Sequence, residues 1–170
     1  LLLEQGTLSC GTTWHAAGLV GLLRASESGT RLVQHSADLY QRLEAETGLA
    51  TGYRQCGGLI VARTPDRMTA LRRTAATAAA YDLDCELLTP AQAGERYPLL
   101  RTEDLQGAIW LPGDGTANPT DVTQSLAKGA RQLGVTVRER VRVTGFDVVA
   151  DPTAPGGRRV RGVRTDAGDV

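Results

Sequence analysis

Leu1-Leu2-Leu3 is a continuous apolar run closed by Glu4, the pattern of a short strand covered on both faces in a parallel sheet. A loop of small residues over 6–13 and a short helical turn near His15 should follow, with Leu19, Val20, Leu22 and Leu23 supplying apolar surface. The spacing then switches to three and four. Leu32, Leu39 and Leu43 share one face of a helix predicted over about 30–47, flanked by Val33, Ala37 and Tyr40, and Gly48 is its natural terminator. A strand is expected over Tyr53–Ala62, where Gly57-Gly58 marks a bulge or a close backbone approach. Thr64-Pro65 opens a helix through about Tyr81, whose inner face carries Met68, Leu71, Ala75 and Ala78. After a short strand at Cys85–Leu88, Thr89-Pro90-Ala91-Gln92 is a capping box for a brief helix ending before Pro98.

Gly107–Pro112 has the pattern of a strand, and Gly113-Asp114-Gly115 that of a turn. Asn118-Pro119 caps a helix that runs to about Leu133 and stops at Gly134. Val135, Val137, Val141 and Val143 alternate with polar residues as one strand does, interrupted at Glu139. Phe146–Val149 and Arg159–Thr165 form a hairpin across the Pro/Gly-rich loop 151–157.

The order of these elements suggests a nucleotide-binding sheet interrupted by an inserted domain. The expected class is α/β with an α+β insertion. A partial Rossmann-like domain would be built from 1–48 and 119–170. A domain with an antiparallel or mixed sheet would occupy 49–118. The chain opens inside one strand-like run and stops, at Gly168-Asp169-Val170, in what resembles the start of another, so an internal piece of a longer protein is expected.

Composition narrows the function classes. Nineteen basic residues balance 19 acidic ones, so no net field points to nucleic acid or an anionic membrane. No apolar run approaches the roughly 18 residues of a membrane span. Cys10, Cys56 and Cys85 are widely spaced and fit free thiols in a reducing compartment better than a metal site or a redox pair, and no metal ligands are assigned. His35, alone on a helix, is structural or solvated.

The candidate chemistry lies in Gly11-Thr12-Thr13-Trp14-His15-Ala16-Ala17-Gly18-Leu19. Small side chains let a bulky ligand lie against backbone, and one imidazole stands among them. By spacing alone, His15 is first a buried, hydrogen-bonded residue at a helix start. Glu4 occupies the place of the acid that, at the end of the second strand of a dinucleotide-binding unit, accepts hydrogen bonds from ribose hydroxyls. The glycine-rich turn expected about 20 residues upstream of that acid is not in the sequence.

Several ordered segments carry a resemblance. They are Leu2-Leu3-Glu4, Ser9–Leu19, Leu43-Glu44-Ala45-Glu46-Thr47-Gly48, Gly57-Gly58-Leu59, Gly113-Asp114-Gly115 and Val143-Thr144-Gly145. Together they are similar to an internal piece of the flavin domain of sarcosine and dimethylglycine dehydrogenases, within the D-amino-acid-oxidase-like superfamily of FAD-dependent amine oxidoreductases. The resemblance covers essentially the whole chain. It implies that Glu4, with Gln5 beside it, binds the adenosine ribose of FAD. It also implies that Gly11, Thr12, Thr13, Trp14, His15, Ala16, Ala17, Gly18 and Leu19 wrap the flavin. His15 matches the histidine joined covalently to the flavin ring in these dehydrogenases, and Val143 a position whose backbone contacts adenine. The implied domains are an FAD-binding segment over 1–48, a substrate domain over 49–118 and a return to the FAD-binding domain over 119–170.

The reaction implied is oxidative demethylation of a small N-methyl amino acid by hydride transfer to flavin. The one-carbon unit would pass to water or to tetrahydrofolate held by a C-terminal region outside this chain. No catalytic residue is assigned, Asp114 is given no catalytic role, and the electron acceptor is left open. Tyr53 and Trp110 are candidate faces for a cationic amine, and equally good as core aromatics. The family's eukaryotic members suggest the mitochondrial matrix, and a bacterial source would place the protein in the cytoplasm. Two alternatives stand. One is an FAD oxidoreductase of the same superfamily acting on another amine or hydroxy acid. The other is a non-catalytic regulatory relative resembling the pyruvate dehydrogenase phosphatase regulatory subunit, which lacks the histidine. The 170 residues alone are expected to bind FAD poorly and to show no turnover.

Overall fold

A computed structural model describes residues 1–170. Strand β1 (Leu2–Leu3) pairs in parallel with β7 (Val137–Arg138), Leu2 opposite Val137, so the opening run has the parallel partner its continuous apolarity predicts. Between these two strands the chain makes a long excursion. A single helical turn, α1 (Thr12–His15), leads into β2 (Leu19–Val20), which pairs antiparallel with β6 (Gly115–Thr116). Helix α2 (Glu27–Thr47) starts where the Ser26 hydroxyl accepts the Gly29 N–H, a turn earlier than its apolar spacing suggests. It ends at Gly48 in the left-handed conformation, as expected.

The middle of the chain is a three-stranded antiparallel sheet ordered β3 (Gly58–Ala62), β5 (Gly107–Leu111), β4 (Glu86–Leu88). Alternation sends Ala62, Ile109 and Leu111 to one face, where Met68, Leu71 and Ala78 of α3 (Pro65–Ala80) close the main core. The other face sends Leu88 and Ala108 against Ala93 of α4 (Pro90–Arg96). Both helices begin as the sequence indicates. Thr64 caps α3, and Thr89 and Gln92 complete a reciprocal capping box on α4.

Helix α5 (Pro119–Gln132), capped by Asn118, packs on α2. The buried Thr47 and Ser125 hydroxyls meet there at 2.8 Å, and Ser125 also donates to the Leu49 carbonyl. A long hairpin, β8 (Val143–Ala150) with β9 (Arg158–Thr165), closes the chain.

Three expectations are corrected. The strand predicted from Tyr53 begins only at Gly58, because 53–57 goes to a single bridge between Arg54 and Thr116. The alternating valines do not form one strand: Val137 belongs to β7 and Val143 to β8, with Arg140 between them at a positive φ of 58°. Leu32 is 66% exposed, and the buried face of α2 is Thr30, Ala37, Leu43 and Thr47. No helix is long and apolar enough to cross a membrane.

Candidate flavin cleft

The candidate stretch is shaped by backbone that few residues tolerate. Ser9 has a φ of 68°, and Gly11 a φ of 76° with ψ −131°, a region open to glycine alone. The chain thereby turns into the one-turn helix α1, whose end Ala16 is extended. Gly18, at a φ of 78°, lies against the backbone of the returning segment. A Cβ there would stand 2.3 Å from the Ala117 carbonyl oxygen, and the Ala117 N–H donates to the Gly18 carbonyl at 2.8 Å. No side chain larger than hydrogen fits.

The result is an open cleft of about 500 Å³. One wall is Thr13 and Ala16–Val20; the other is Tyr40 with Ala117, Pro119, Val122, Thr123 and Leu126 at the start of α5. Most of this lining is apolar. His15 stands exposed beside the wall, its imidazole 4.3 Å from the ring of Trp14, which is 64% exposed. The buried, helix-start reading of His15 is therefore wrong, and the imidazole is accessible. The near wall is thus built mainly of small side chains and backbone, with the exposed imidazole of His15 next to it in the chain.

Glu4 lies at a second place. It follows β1, and its Oε1 accepts the Gly6 N–H at 2.7 Å. Its backbone is clasped on both sides: its N–H donates to the Arg138 carbonyl, and its carbonyl accepts from Val141. Arg140 N–H reaches the Gly6 carbonyl, and the Glu139 carboxylate accepts the Leu8 N–H. The segment leading into Val143 is thus tied to the Glu4 loop. Gln5, Gly11, Thr12 and Val143 are exposed. Thr13, Ala16, Ala17, Gly18 and Leu19 meet in the cleft, whereas Glu4, Gln5 and Val143 lie outside its walls. A larger hollow of about 760 Å³ runs along the β8–β9 hairpin, bordered by Arg161, Arg164 and Asp147. It is a hairpin face crossed by the Arg161–Asp147 ion pair and touches none of the candidate residues.

Sequence reasoning missed the far wall. Val122 and Leu126, four apart behind the Asn118 cap, were its available signal. It also missed Asp114. This half-buried carboxylate accepts the Leu22 N–H at 2.8 Å through Oδ1. Burial pushes its pKa up, opposed by the Leu22 hydrogen bond and by Arg24. The two candidate amine-binding aromatics have partners already. Trp110 has the Arg96 guanidinium 5.3 Å from its ring centre, and its edge leaves no space for a Cβ on Gly57. Tyr53 packs edge-on against Tyr40 at 6.3 Å, and burial raises its hydroxyl pKa.

A family model described as "DAO: FAD dependent oxidoreductase" matches residues 1–170. Human sarcosine dehydrogenase, mitochondrial, is 40% identical over 171 residues, covering 100% of this chain and 18% of the relative. The mouse pyruvate dehydrogenase phosphatase regulatory subunit, mitochondrial, is 34% identical over 170 residues, 100% of this chain and 19% of the relative. The chain thus spans under a fifth of the length of these curated relatives. Among solved structures, L-proline dehydrogenase from P. horikoshii superposes with a TM-score of 0.87 at 24% identity, covering 98% of this chain and 42% of that one.

Proposed function

This chain belongs to the FAD dependent oxidoreductase family, and from that membership we propose that the protein carrying it oxidises an N-methyl group of a small amino acid, with the Thr13–Val20 cleft as flavin seat. The observation that carries the reading is the cleft itself: small residues and backbone on one wall, an apolar helix end on the other, and the exposed His15 at the rim. Bound flavin supplies the acceptor for the hydride equivalent leaving the methyl carbon. The chain's own residues bind and orient. Gly11 lets the backbone turn and Gly18 lets it approach closely, Thr13, Ala16, Ala17 and Leu19 border the ring with Thr12 just before them, and the Trp14 ring lies tilted against the His15 imidazole. His15 is the covalent anchor. Glu4 and Gln5 serve the adenosine ribose, and the backbone at Val143 serves adenine.

In this reading 1–48 and 119–170 are the FAD-binding segments and 49–118 is the substrate domain. Its substrate is a small N-methyl amine. Tetrahydrofolate would be met by a C-terminal region beyond this chain, and no electron acceptor is assigned. Placement in the bacterial cytoplasm or in the mitochondrial matrix belongs to the same proposal; both curated relatives named above are mitochondrial. Only 20 of the 170 residues are buried, and large apolar side chains such as Trp14 and Leu19 stand exposed, so the 170 residues alone should hold FAD weakly.

The test is acid precipitation of the protein carrying this chain, followed by flavin fluorescence in a denaturing gel. Fluorescence that stays with wild type and is lost in His15→Ala supports the anchor. Flavin freely extracted from wild type overturns it. The likeness to the phosphatase regulatory subunit favours a second, non-catalytic reading. Flavin bleaching on addition of sarcosine or dimethylglycine would decide against it.

A further inference from the structure

We propose that Asp114 is the positioning residue of the cleft, holding the Leu19–Leu22 limb in register with the returning segment. Four successive links join these two stretches. The Ala117 N–H donates to the Gly18 carbonyl, Leu19 pairs with Thr116, and Val20 pairs with Gly115. At the next step the ladder has no backbone partner, and the Asp114 carboxylate takes its place by accepting the Leu22 N–H at 2.8 Å. Two residues of β2 could not hold a register alone, since so short a ladder is marginal without a further constraint.

The surroundings are built for that carboxylate. A Cβ on Gly58 would stand 2.5 Å from Asp114 Oδ2, so the glycine there leaves the carboxylate room. The Gly57 N–H donates to the Asp114 carbonyl at 2.8 Å and the Asp114 N–H to the Leu111 carbonyl, which fixes its backbone. Beyond Leu22, the buried Thr30 hydroxyl of α2 accepts the Arg24 N–H. The limb is therefore held by the pairing of β2 with β6, by Asp114 and by Thr30, with Asp114 between the other two. Leu19 and Val20 of this limb, with Gly18 just before it, wall the cleft. The role in cofactor placement rests on the flavin reading above; the latch itself does not.

The experiment compares wild type, Asp114→Ala, Asp114→Asn and Gly58→Ala in the protein carrying this chain. Amide hydrogen exchange over 16–26 is measured without flavin, and the visible circular dichroism of bound flavin with it. Asp114→Ala should exchange about ten-fold faster or more over 19–24, since a hydrogen bond to a charged acceptor is lost, and should change the flavin dichroism. Asp114→Asn keeps an acceptor oxygen and should restore both. Gly58→Ala, which crowds the carboxylate, should reproduce the Asp114→Ala result and decides the matter if that variant does not fold. Unchanged local exchange in both crowded and truncated variants overturns the latch. Exchange that rises equally across the whole chain, flavin dichroism unmoved despite local loosening, or no rescue by Asn overturns the positioning role. Absence of flavin from wild type would count against the flavin reading alone, and the exchange data would still judge the latch.

Discussion

Gly18 offers a clean measurement of how tightly the cleft wall is built. It and Gly156 share a φ of 78°, but a Cβ on Gly18 meets the Ala117 carbonyl at 2.3 Å whereas one on Gly156 meets nothing within 4 Å. Gly156→Ala should cost only the left-handed strain, about 1 kcal/mol. Gly18→Ala carries the same strain and more. Its methyl must retreat by roughly 0.7 Å to reach even the 3.0 Å limit of real Cβ contacts, and the obstacle is backbone already bonded to Gly18. Losing that bond adds about 1 kcal/mol, and the displaced limb adds a comparable amount through the β2–β6 ladder. A difference of about 2 kcal/mol corresponds to roughly 4–8 °C in Tm for a chain of this size. Thermal unfolding followed by circular dichroism reads it directly, and flavin retention should fall in Gly18→Ala only. Equal Tm shifts in the two variants would show that strain alone sets the cost and that the wall is not tightly packed.

Asp114 makes a pH prediction. Its pKa is raised in the fold, chiefly by burial, so the folded chain holds its proton to higher pH than the unfolded chain does. The stability from the protonated form is complete below the ordinary carboxylate value and is lost as pH rises through the raised folded value. Subtracting the Asp114→Asn stability profile from that of wild type should leave a curve that falls over this window; a rising difference curve would contradict it. Ser125→Ala should cost about 1–3 kcal/mol in urea unfolding, because the buried Thr47 hydroxyl loses the partner it meets at 2.8 Å and the Leu49 carbonyl loses its donor. By contrast Arg31→Ala, whose partner Glu27 is 56% exposed beside an arginine 76% exposed, should move stability by less than about 0.5 kcal/mol. A loss as large as that of Ser125→Ala would invert this ranking.

What could be foreseen was local chemistry. Thr64, Thr89 and Asn118 announce helix starts because a capping side chain bonds an N–H only two or three residues away. Gly48 announces a stop for an equally local reason. Gly57-Gly58 announces a bulge or a close approach, and the structure shows the approach; the groups approaching, the Trp110 ring and the Asp114 carboxylate, lie more than 50 residues away, where no local pattern names them. The β2–β6 pair was invisible, since two residues on each strand carry no periodicity. The Val135–Val143 alternation misled because period two cannot tell one strand from two with a left-handed turn at Arg140 between them.

The caps, the apolar face of α3, the parallel character of β1 and the ordered small-residue stretch whose resemblance points to a flavin domain are all written in the sequence. Only the tertiary structure decided that His15 is exposed rather than buried, that α5 supplies the far wall, that Trp110 is already covered by Arg96, and that Asp114 fastens the cleft's limb. The physical division is one of range. Propensity, capping and periodicity act over a few residues, whereas a cleft is the meeting of segments about 100 residues apart. Which side chains face one another there is set by how sheet and helices pack together, and no local pattern carries that information.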